Sequence, residues 1–279
     1  MSPPITASAM PSPVDDLAAR LHEVLGGFEG AVVALSAGVD SSVVAALAAK
    51  ALGPRLLAVT GVSPSLTGPE IAQIVSLCHR FGIRHRTVPT DELRIEGYVA
   101  NTPERCYFCK GELYGVLARV AREEGLATIL DGTCADDLEG HRPGKRAGDE
   151  LGVRSPLLEV GARKQDVRAL ARRLGLPNAE RPSSPCLSSR IAYGVPVTEE
   201  RLRRIAQAER ALRERGFAHA RVRLHEEIAR IEVPKADLAR AVEQAETIVT
   251  AVKAAGFVYV TLDLAGLRSG SLLEAWRAR

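Results

Sequence analysis

At 279 residues the chain can bury a substantial core, in two domains or one large one. Its 25% charged and 46% apolar residues suit a soluble globular protein, and a net charge of only +3, with basic residues interleaved among acidic ones as in 199–204, offers no nucleic-acid stripe. Aromatic residues at 4%, no apolar run of membrane-spanning length and an odd five cysteines argue against a single-stranded RNA platform, a membrane anchor and a secreted disulfide framework.

Residues 1–16, MSPPITASAMPSPVDD, lack the basic and apolar regions of a signal peptide. They read as a short disordered tail, and the chain is expected in the reducing cytoplasm. From residue 17 onward β and α patterns alternate. Strand-like runs fall at 31–35, 56–61, 84–88 and 127–131, and helical patterns at 41–52, 69–81 and 110–124. This alternation predicts an α/β fold with a doubly wound parallel sheet over 17–193, its ligands bound beyond the carboxyl ends of the strands. Residues 132–163 are rich in Gly and Pro and read as a long functional loop. A helix is expected at 164–174, and three prolines within 176–186 preclude a regular helix there. Gly194 and Pro196 mark a boundary. Beyond it, 197–279 predicts a smaller C-terminal α+β domain for substrate binding and oligomerisation. Its elements are a helix at 198–215, strands at 220–224 and 228–233, a helix at 235–255 and a strand at 257–262.

Three places carry chemistry. The first strand runs into Ser36-Ala37-Gly38-Val39-Asp40-Ser41-Ser42 and then a helix. Such a turn of small residues lets backbone N–H groups approach a pyrophosphate at the helix N-terminus. Asp40 stands where a carboxylate orients Mg²⁺, and Ser36, Ser41 and Ser42 supply hydroxyls; an ordinary βα turn with a polar cap is the plainer reading. No Walker-type loop competes, since Gly140 and Gly144 are one residue too close and Arg146 replaces the required Ser or Thr. Beyond strand 127–131 lie Asp131, Asp136 and Asp137, where a nucleotide or Mg²⁺ role stands beside that of a solvated acidic loop with a helix cap.

Cys106-Tyr107-Phe108-Cys109 is a C-x-x-C that places two sulfurs on one side of a turn, while Cys186 stands alone among prolines and serines. Two cysteines do not complete a tetrahedral zinc site; three thiolates hold a 4Fe-4S cluster with one iron open to an outside ligand. A simple C-x-x-C loop and a buried structural Cys186 remain the plainer readings. Arg221 and Arg223 alternate on a strand and share a face, which suits a phosphate or pairing with Glu226 or Glu227. Ser189 and Arg190, close to Cys186, are further phosphate or carboxylate contacts. Cys78 lies on an apolar helical pattern and reads as core.

SxGxDS at 36–41 resembles the PP-loop of ATP pyrophosphatases, which split ATP into AMP and pyrophosphate and so adenylate a substrate. The family's usual Ser-Gly-Gly is Ser36-Ala37-Gly38 here. Further matching stretches are RCYFCK (105–110), DGTCADD (131–137), RPG (142–144), GVRSPLLE (152–159), SPCLSSR (184–190), RVR (221–223), ARIEV (229–233) and YVTLDLAGLRSGSL (259–272). With these the chain resembles the LarE family of ATP-dependent sulfur transferases over nearly its whole length. The resemblance implies that ATP with Mg²⁺ adenylates a carboxylate of pyridinium-3,5-biscarboxylic acid mononucleotide, in synthesis of the nickel-pincer nucleotide cofactor. A sulfur nucleophile then displaces AMP and leaves a thiocarboxylate.

The resemblance also implies roles for residues. Ser36, Gly38, Asp40, Ser41, Ser42, Asp131, Gly132, Thr133 and Asp136 would bind the nucleotide. Cys106, Cys109 and Cys186 would hold a 4Fe-4S cluster whose open iron carries a sulfide, with Cys186 and Asp40 catalytic. Arg221, Arg223, Ser189 and Arg190 would take the substrate phosphate. In a second branch the sulfur comes from the cysteine matching Cys186, which is left as dehydroalanine. Cys134 stands where the family usually shows Asn. The family further implies a homo-oligomer, possibly a hexamer, with no nucleic-acid or membrane partner; the sulfur donor is not identified. Two rivals are a PP-loop tRNA thiolase, opposed by the weak charge and the C-terminal match, and a non-catalytic ATP- or zinc-binding module, which predicts no pyrophosphate release.

Overall fold

The computed structural model describes residues 12–139, 142–182 and 185–268. In chain order its elements are α1 (Pro13–Gly26), β1 (Ala31–Ala34), α2 (Val39–Leu52), β2 (Leu56–Val62), α3 (Gly68–Arg80), β3 (His85–Pro89), α4 (Glu96–Val99), α5 (Arg105–Glu123) and β4 (Thr128–Leu130). There follow α6 (Pro143–Glu150), α7 (Pro156–Glu159), α8 (Lys164–Arg173), α9 (Glu199–Glu214), β5 (Arg221–His225), β6 (Ile228–Glu232), α10 (Leu238–Glu243), α11 (Ala245–Ala254) and β7 (Tyr259–Leu262). Within the described residues one compact unit holds residues up to 61, 69–88 and 113–182, and a second holds 62–68, 89–112 and 185–268.

The first unit is built on a four-stranded sheet in the order β3-β2-β1-β4, with β1 parallel to both β2 and β4. All four residues of β1 are buried, which is why the strand reads as an unbroken apolar run. Alternate residues of β1 serve opposite faces. Ala31 and Val33 join Leu21, Val43, Leu47 and Leu170 in one core, while Val32 and Ala34 join Val59, Leu117 and Val120 in another. From β1 the chain goes outward to β2 and β3, then returns to β4 on the other side of β1. The order therefore reverses between β1 and β4, the place where open α/β sheets bind ligands. The PP-loop turn and the 131–137 segment follow these two strands.

The tail expected over 1–16 does not hold for 12–16. Ser12 caps α1 by accepting from the Asp15 N–H at 3.3 Å, and Pro13 opens the helix, where its missing N–H is not needed. Leu17, Leu21 and Leu25, four apart, form the buried stripe of α1. Residues 1–11 lie outside the described residues. The supposed loop 132–163 contains α6 and α7; Pro143 and Pro156, which suggest a loop in sequence, each start a helix. The C-x-x-C lies not on a turn but at the start of α5, where a spacing of three puts Cys106 and Cys109 on one helix face.

In the second unit β5 and β6 form an antiparallel hairpin, and β7 adds in parallel beside β6. Val222, Leu224, Ala229 and Ile231 bury one face of this sheet in a core with Leu202, Ile205, Leu212, Ile248 and Val252. The expected single helix at 235–255 is instead a 3-10 turn followed by α10 and α11. A linear boundary near 190–197 also fails. Tyr98 and Phe108 pack in the same core as Leu187 and Ile191, which brings the start of α5 into the second unit with Cys186. Among the described residues no helix is long and apolar enough to cross a membrane.

Candidate active site

In the first unit, Gly38 is the N-cap of α2 and no side chain caps it. The first N–H groups of the helix therefore have no internal partner, at the end where the dipole favours an anion. The three serines expected to donate to a ligand brace the turn instead. Ser41 Oγ accepts from the Ser36 N–H at 3.2 Å, Ser36 Oγ accepts from the Gly38 N–H at 3.2 Å, and Ser42 Oγ donates to the Gly38 carbonyl at 2.8 Å. Gly38 has φ −75°, and Ala37 is not among the residues at positive φ, so alanine in place of the family's glycine costs no backbone strain. Asn178 clasps the turn from outside, donating to the Ala37 carbonyl at 3.2 Å and to Ser42 Oγ at 2.9 Å.

Asp40, in the first turn of α2, accepts from Lys164 Nζ at 2.5 Å, and the same Nζ lies 3.8 Å from Asp137 Oδ2. The Lys164 N–H also donates to Asp136 Oδ2 at 2.7 Å. One residue at the start of α8 thus ties together three of the acidic groups. Burial alone would lower the pKa of Lys164, but its bond to Asp40 and the charges of Asp40 and Asp137 raise it above its ordinary value. The second Asp40 oxygen, Oδ1, is buried with no hydrogen-bond partner. An unsatisfied carboxylate oxygen is unfavourable until a donor or cation meets it, and hard oxygen donors are what Mg²⁺ takes. Asp40 therefore fits the metal that accompanies ATP. Sequence reasoning passed over Lys164 because its partner Asp40 is 124 residues away.

Asp131 departs from expectation. It is 6% exposed and accepts from the Thr133 N–H (3.0 Å), Thr133 Oγ1 (2.7 Å), Tyr114 Oη (2.9 Å) and Ser155 Oγ (2.7 Å). Four donors occupy its carboxylate, so it anchors the loop instead of offering a nucleotide or metal ligand. Thr133 is used in the same way. Cys134 is buried and donates its S–H to Asp137 Oδ2 at 3.3 Å. Burial, then Asp137, push its thiol up to about 11, so it serves as a protonated donor, as an Asn amide would there.

A Cβ at Gly132 would stand 2.5 Å from the Ser41 nitrogen and 2.9 Å from its Cα, so the 131–137 loop presses on the PP-loop backbone as only glycine allows. Gly132→Ala is expected to displace one backbone from the other and to cut pyrophosphate formation from ATP about 10²-fold. Gly26→Ala, which meets nothing within 4 Å, is the control and should leave the rate unchanged.

The three cysteines expected to carry the sulfur chemistry lie in the second unit, with Cys106 and Cys186 exposed and Cys109 partly buried. Cys186 leads into a 3-10 turn, Leu187–Arg190, which is bound on several sides. The Leu187 N–H donates to the Ser65 carbonyl at 3.3 Å, Tyr98 Oη lies 2.5 Å from Ser188 Oγ, and Arg105 Nη1 donates to the Ser188 carbonyl at 3.0 Å. Glu92 is buried beside it and accepts from Ser63 Oγ at 2.5 Å and Ser65 Oγ at 3.1 Å. Burial above all, then the nearby Cys186 sulfur and Glu92, push the Cys109 thiol far up. Among the described residues no three His, Cys, Asp or Glu side chains converge on one metal ion. A cubane cluster makes a different demand, one thiolate for each of three irons, and Cys106, Cys109 and Cys186 match it in number and in lying within one unit.

Two of the three arginines expected on the substrate phosphate are already committed. Arg190 places Nε and Nη2 on Glu209 at 2.8 and 3.2 Å, and Nη1 on the Cys186 carbonyl at 3.2 Å and Ser189 Oγ at 3.0 Å. Arg223 places Nε and Nη2 on Glu232 at 3.0 and 2.8 Å, and Nη1 on the Ser189 carbonyl at 2.8 Å. At 4% and 3% exposure both are buried ion pairs that fix the backbone around Cys186, and Ser189 is held with them. Arg221 is half-buried and is not without a partner of its own; burial, then Arg190 and Arg223, lower its pKa, so an anion brought beside it is electrostatically favoured. Glu227, one of the two glutamates expected to pair with the strand arginines, accepts from Arg204 at 3.2 Å.

Residues 27–248 match the family described as asparagine synthase. An uncharacterized protein of Synechocystis is 41% identical over 255 residues, which covers 91% of this chain and 95% of that protein. The pyridinium-3,5-bisthiocarboxylic acid mononucleotide synthase of Lactiplantibacillus plantarum is 37% identical over 255 residues, with 91% and 92% covered. A glutamine-hydrolyzing GMP synthase of Aeropyrum pernix is 33% identical over 205 residues, with 66% of this chain and 39% of that protein covered.

Proposed function

The chain belongs to the LarE family, within the wider PP-loop family matched over 27–248, and from that premise we propose that it is an ATP-dependent sulfur transferase. It adenylates a carboxylate of pyridinium-3,5-biscarboxylic acid mononucleotide and converts it to a thiocarboxylate. The observation that carries this reading is the pairing of two chemistries in one chain. An uncapped helix start with an unsatisfied Asp40 oxygen serves phosphates, and an exposed Cys186 on a braced turn serves sulfur.

A free carboxylate is a poor electrophile, and adenylation gives it AMP as a leaving group. In the first step a substrate carboxylate oxygen attacks the α-phosphorus of ATP, and the bond to pyrophosphate breaks. The open N–H groups of α2 offset the charge that develops, and Asp40 is the residue that would hold Mg²⁺, which would neutralise the phosphates. In the second step sulfur bonds to the acyl carbon and the bond to AMP breaks. A 4Fe-4S cluster on Cys106, Cys109 and Cys186 would supply that sulfur as sulfide on its open iron. Arg221 is the residue we assign to the substrate phosphate. Without a cluster, the Cys186 thiolate forms a thioester; loss of its Cα proton then breaks the Cβ–S bond and leaves dehydroalanine.

Anaerobic purification with iron and sulfide analysis, run beside an assay of substrate-dependent pyrophosphate release, tests the reading. About four irons per chain, lost in Cys106→Ala, is the expected result. An iron-free protein that transfers sulfur and loses the mass of H₂S at Cys186 would replace the cluster route with the sacrificial one. Absence of substrate-dependent pyrophosphate would overturn the proposal as a whole.

A further inference from the structure

Arg105 opens α5, one residue before Cys106, and is 5% exposed. A buried guanidinium has lost most of its hydration and is tolerated when hydrogen bonds and an anion replace it. Arg190 and Arg223, buried beside the same turn, each have a glutamate. Arg105 has none among the described residues. Its hydrogen bonds go to neutral acceptors, Nη1 to Asn101 Oδ1 at 2.6 Å and to the Ser188 carbonyl at 3.0 Å, and its guanidinium lies 5.8 Å from the centre of the Tyr193 ring. It stands one residue before Cys106 and bonds the turn that Cys186 leads into.

The residue that receives Arg105 is itself held in a demanding conformation. Asn101 is fully buried at φ 52°, a region that side chains other than glycine seldom adopt. Its amide Nδ2 donates to the Ala192 and Val195 carbonyls at 2.8 Å each, and its own carbonyl accepts from the Gly194 N–H at 3.0 Å. Asn101, Arg105 and Ser188 therefore form one continuous linkage from the C-x-x-C helix to both ends of the segment that follows Cys186.

We propose that Arg105 is a positioning residue for the sulfur chemistry. It ties the Cys186 turn to the start of the C-x-x-C helix and supplies the buried positive charge that an anionic sulfur centre there requires. The inference rests on the sulfur-transfer reading and deepens it by naming what holds the sulfur side of the reaction. The role needs both the charge and the reach of Nη1, the one nitrogen that meets both acceptors. Lysine keeps the charge but its ammonium ends one bond short of that position; methionine keeps little more than the volume.

The full-length protein, Arg105→Met, Arg105→Lys and Tyr98→Phe are compared by pyrophosphate release, thiocarboxylate formation and hydrogen exchange of amides 187–192. Arg105→Met is expected to keep pyrophosphate release within about twofold, to lower thiocarboxylate formation about 10²-fold and to speed exchange at 187–192 about tenfold. Arg105→Lys should fall between it and wild type. Tyr98→Phe, which removes only the bond to Ser188 Oγ, should alter transfer no more than a few-fold. Unchanged exchange and transfer in Arg105→Met would overturn the proposal. So would an equal fall in both half-reactions, which marks a merely structural role. If Arg105→Met does not fold, Arg105→Lys decides, and wild-type behaviour there overturns the positioning role of Nη1. If the wild type releases no pyrophosphate, the sulfur-transfer reading falls on its own, while the exchange measurement still judges the linkage.

Discussion

Cys186→Ala should abolish thiocarboxylate formation, by at least about 10³-fold, and leave substrate-dependent pyrophosphate release standing. The separation follows from where the groups lie. Asp40 and Lys164, paired at the PP-loop turn, belong to the first unit, and Cys186 to the second. The turn around Cys186 is held by the Ser188 and Cys186 carbonyls, the Leu187 N–H and the Ser188 hydroxyl, and its sulfur takes part in none of these bonds. The side chain is exposed, so its truncation opens no cavity and should change stability by no more than about 0.5 kcal/mol. Cys186→Ser, nearly isosteric but a weak nucleophile, should behave like the alanine variant. AMP, pyrophosphate and thiocarboxylate are quantified together under single-turnover and multiple-turnover conditions. Multiple-turnover sulfur transfer by Cys186→Ala would remove Cys186 from the chemistry. Loss of pyrophosphate release as well would mean that the cysteine is needed before the carboxylate is activated.

The β and α alternation over the first half of the chain was legible because a parallel strand buried on both faces writes itself as an apolar run. Residues 31–34 are the clearest case, and the sheet order then put the PP-loop at the reversal point. Prolines misled where they open helices, at Pro13, Pro143 and Pro156, since composition alone does not separate a helix start from a loop. The site was legible as residue types and much less as roles. Asp131, Arg190 and Arg223 carry the right charges for a nucleotide and a phosphate, but each is saturated by partners from distant parts of the chain. Glu209 is 19 residues from Arg190, and Ser155 is 24 from Asp131. Such pairings come from tertiary packing, and no local pattern announces them. Lys164 was missed for the same reason, and Arg105, although inside the matching stretch RCYFCK, was given no role. The linear domain boundary failed because the segments at 62–68 and 89–112 return to pack with the C-terminal elements.

Asp40→Asn is expected to lower adenylation about 10²–10³-fold with little loss of stability. Asparagine preserves the volume but gives up the charge, and with it both the counter-ion of Lys164 and an oxygen suited to Mg²⁺. Lys164 is 37% exposed and has Asp137 at 3.8 Å, so its lost pairing is softened by water and a second carboxylate, and the fold should survive. The variant alone does not say whether Asp40 acts through the metal or through Lys164. Lys164→Met separates the two. If Asp40 mainly serves Mg²⁺, Lys164→Met leaves the dependence of pyrophosphate release on Mg²⁺ concentration near that of wild type, and Asp40→Asn shifts it to higher Mg²⁺. If the pair works as a unit, each single variant loses about as much as the double, because the second substitution removes a partner already disabled. Normal pyrophosphate release from Asp40→Asn would detach the 36–42 turn from phosphate chemistry altogether. The unsatisfied Oδ1 argues for the first outcome. Lys164 answers one of the two carboxylate oxygens, and the oxygen left buried without a partner is the one a divalent cation would satisfy.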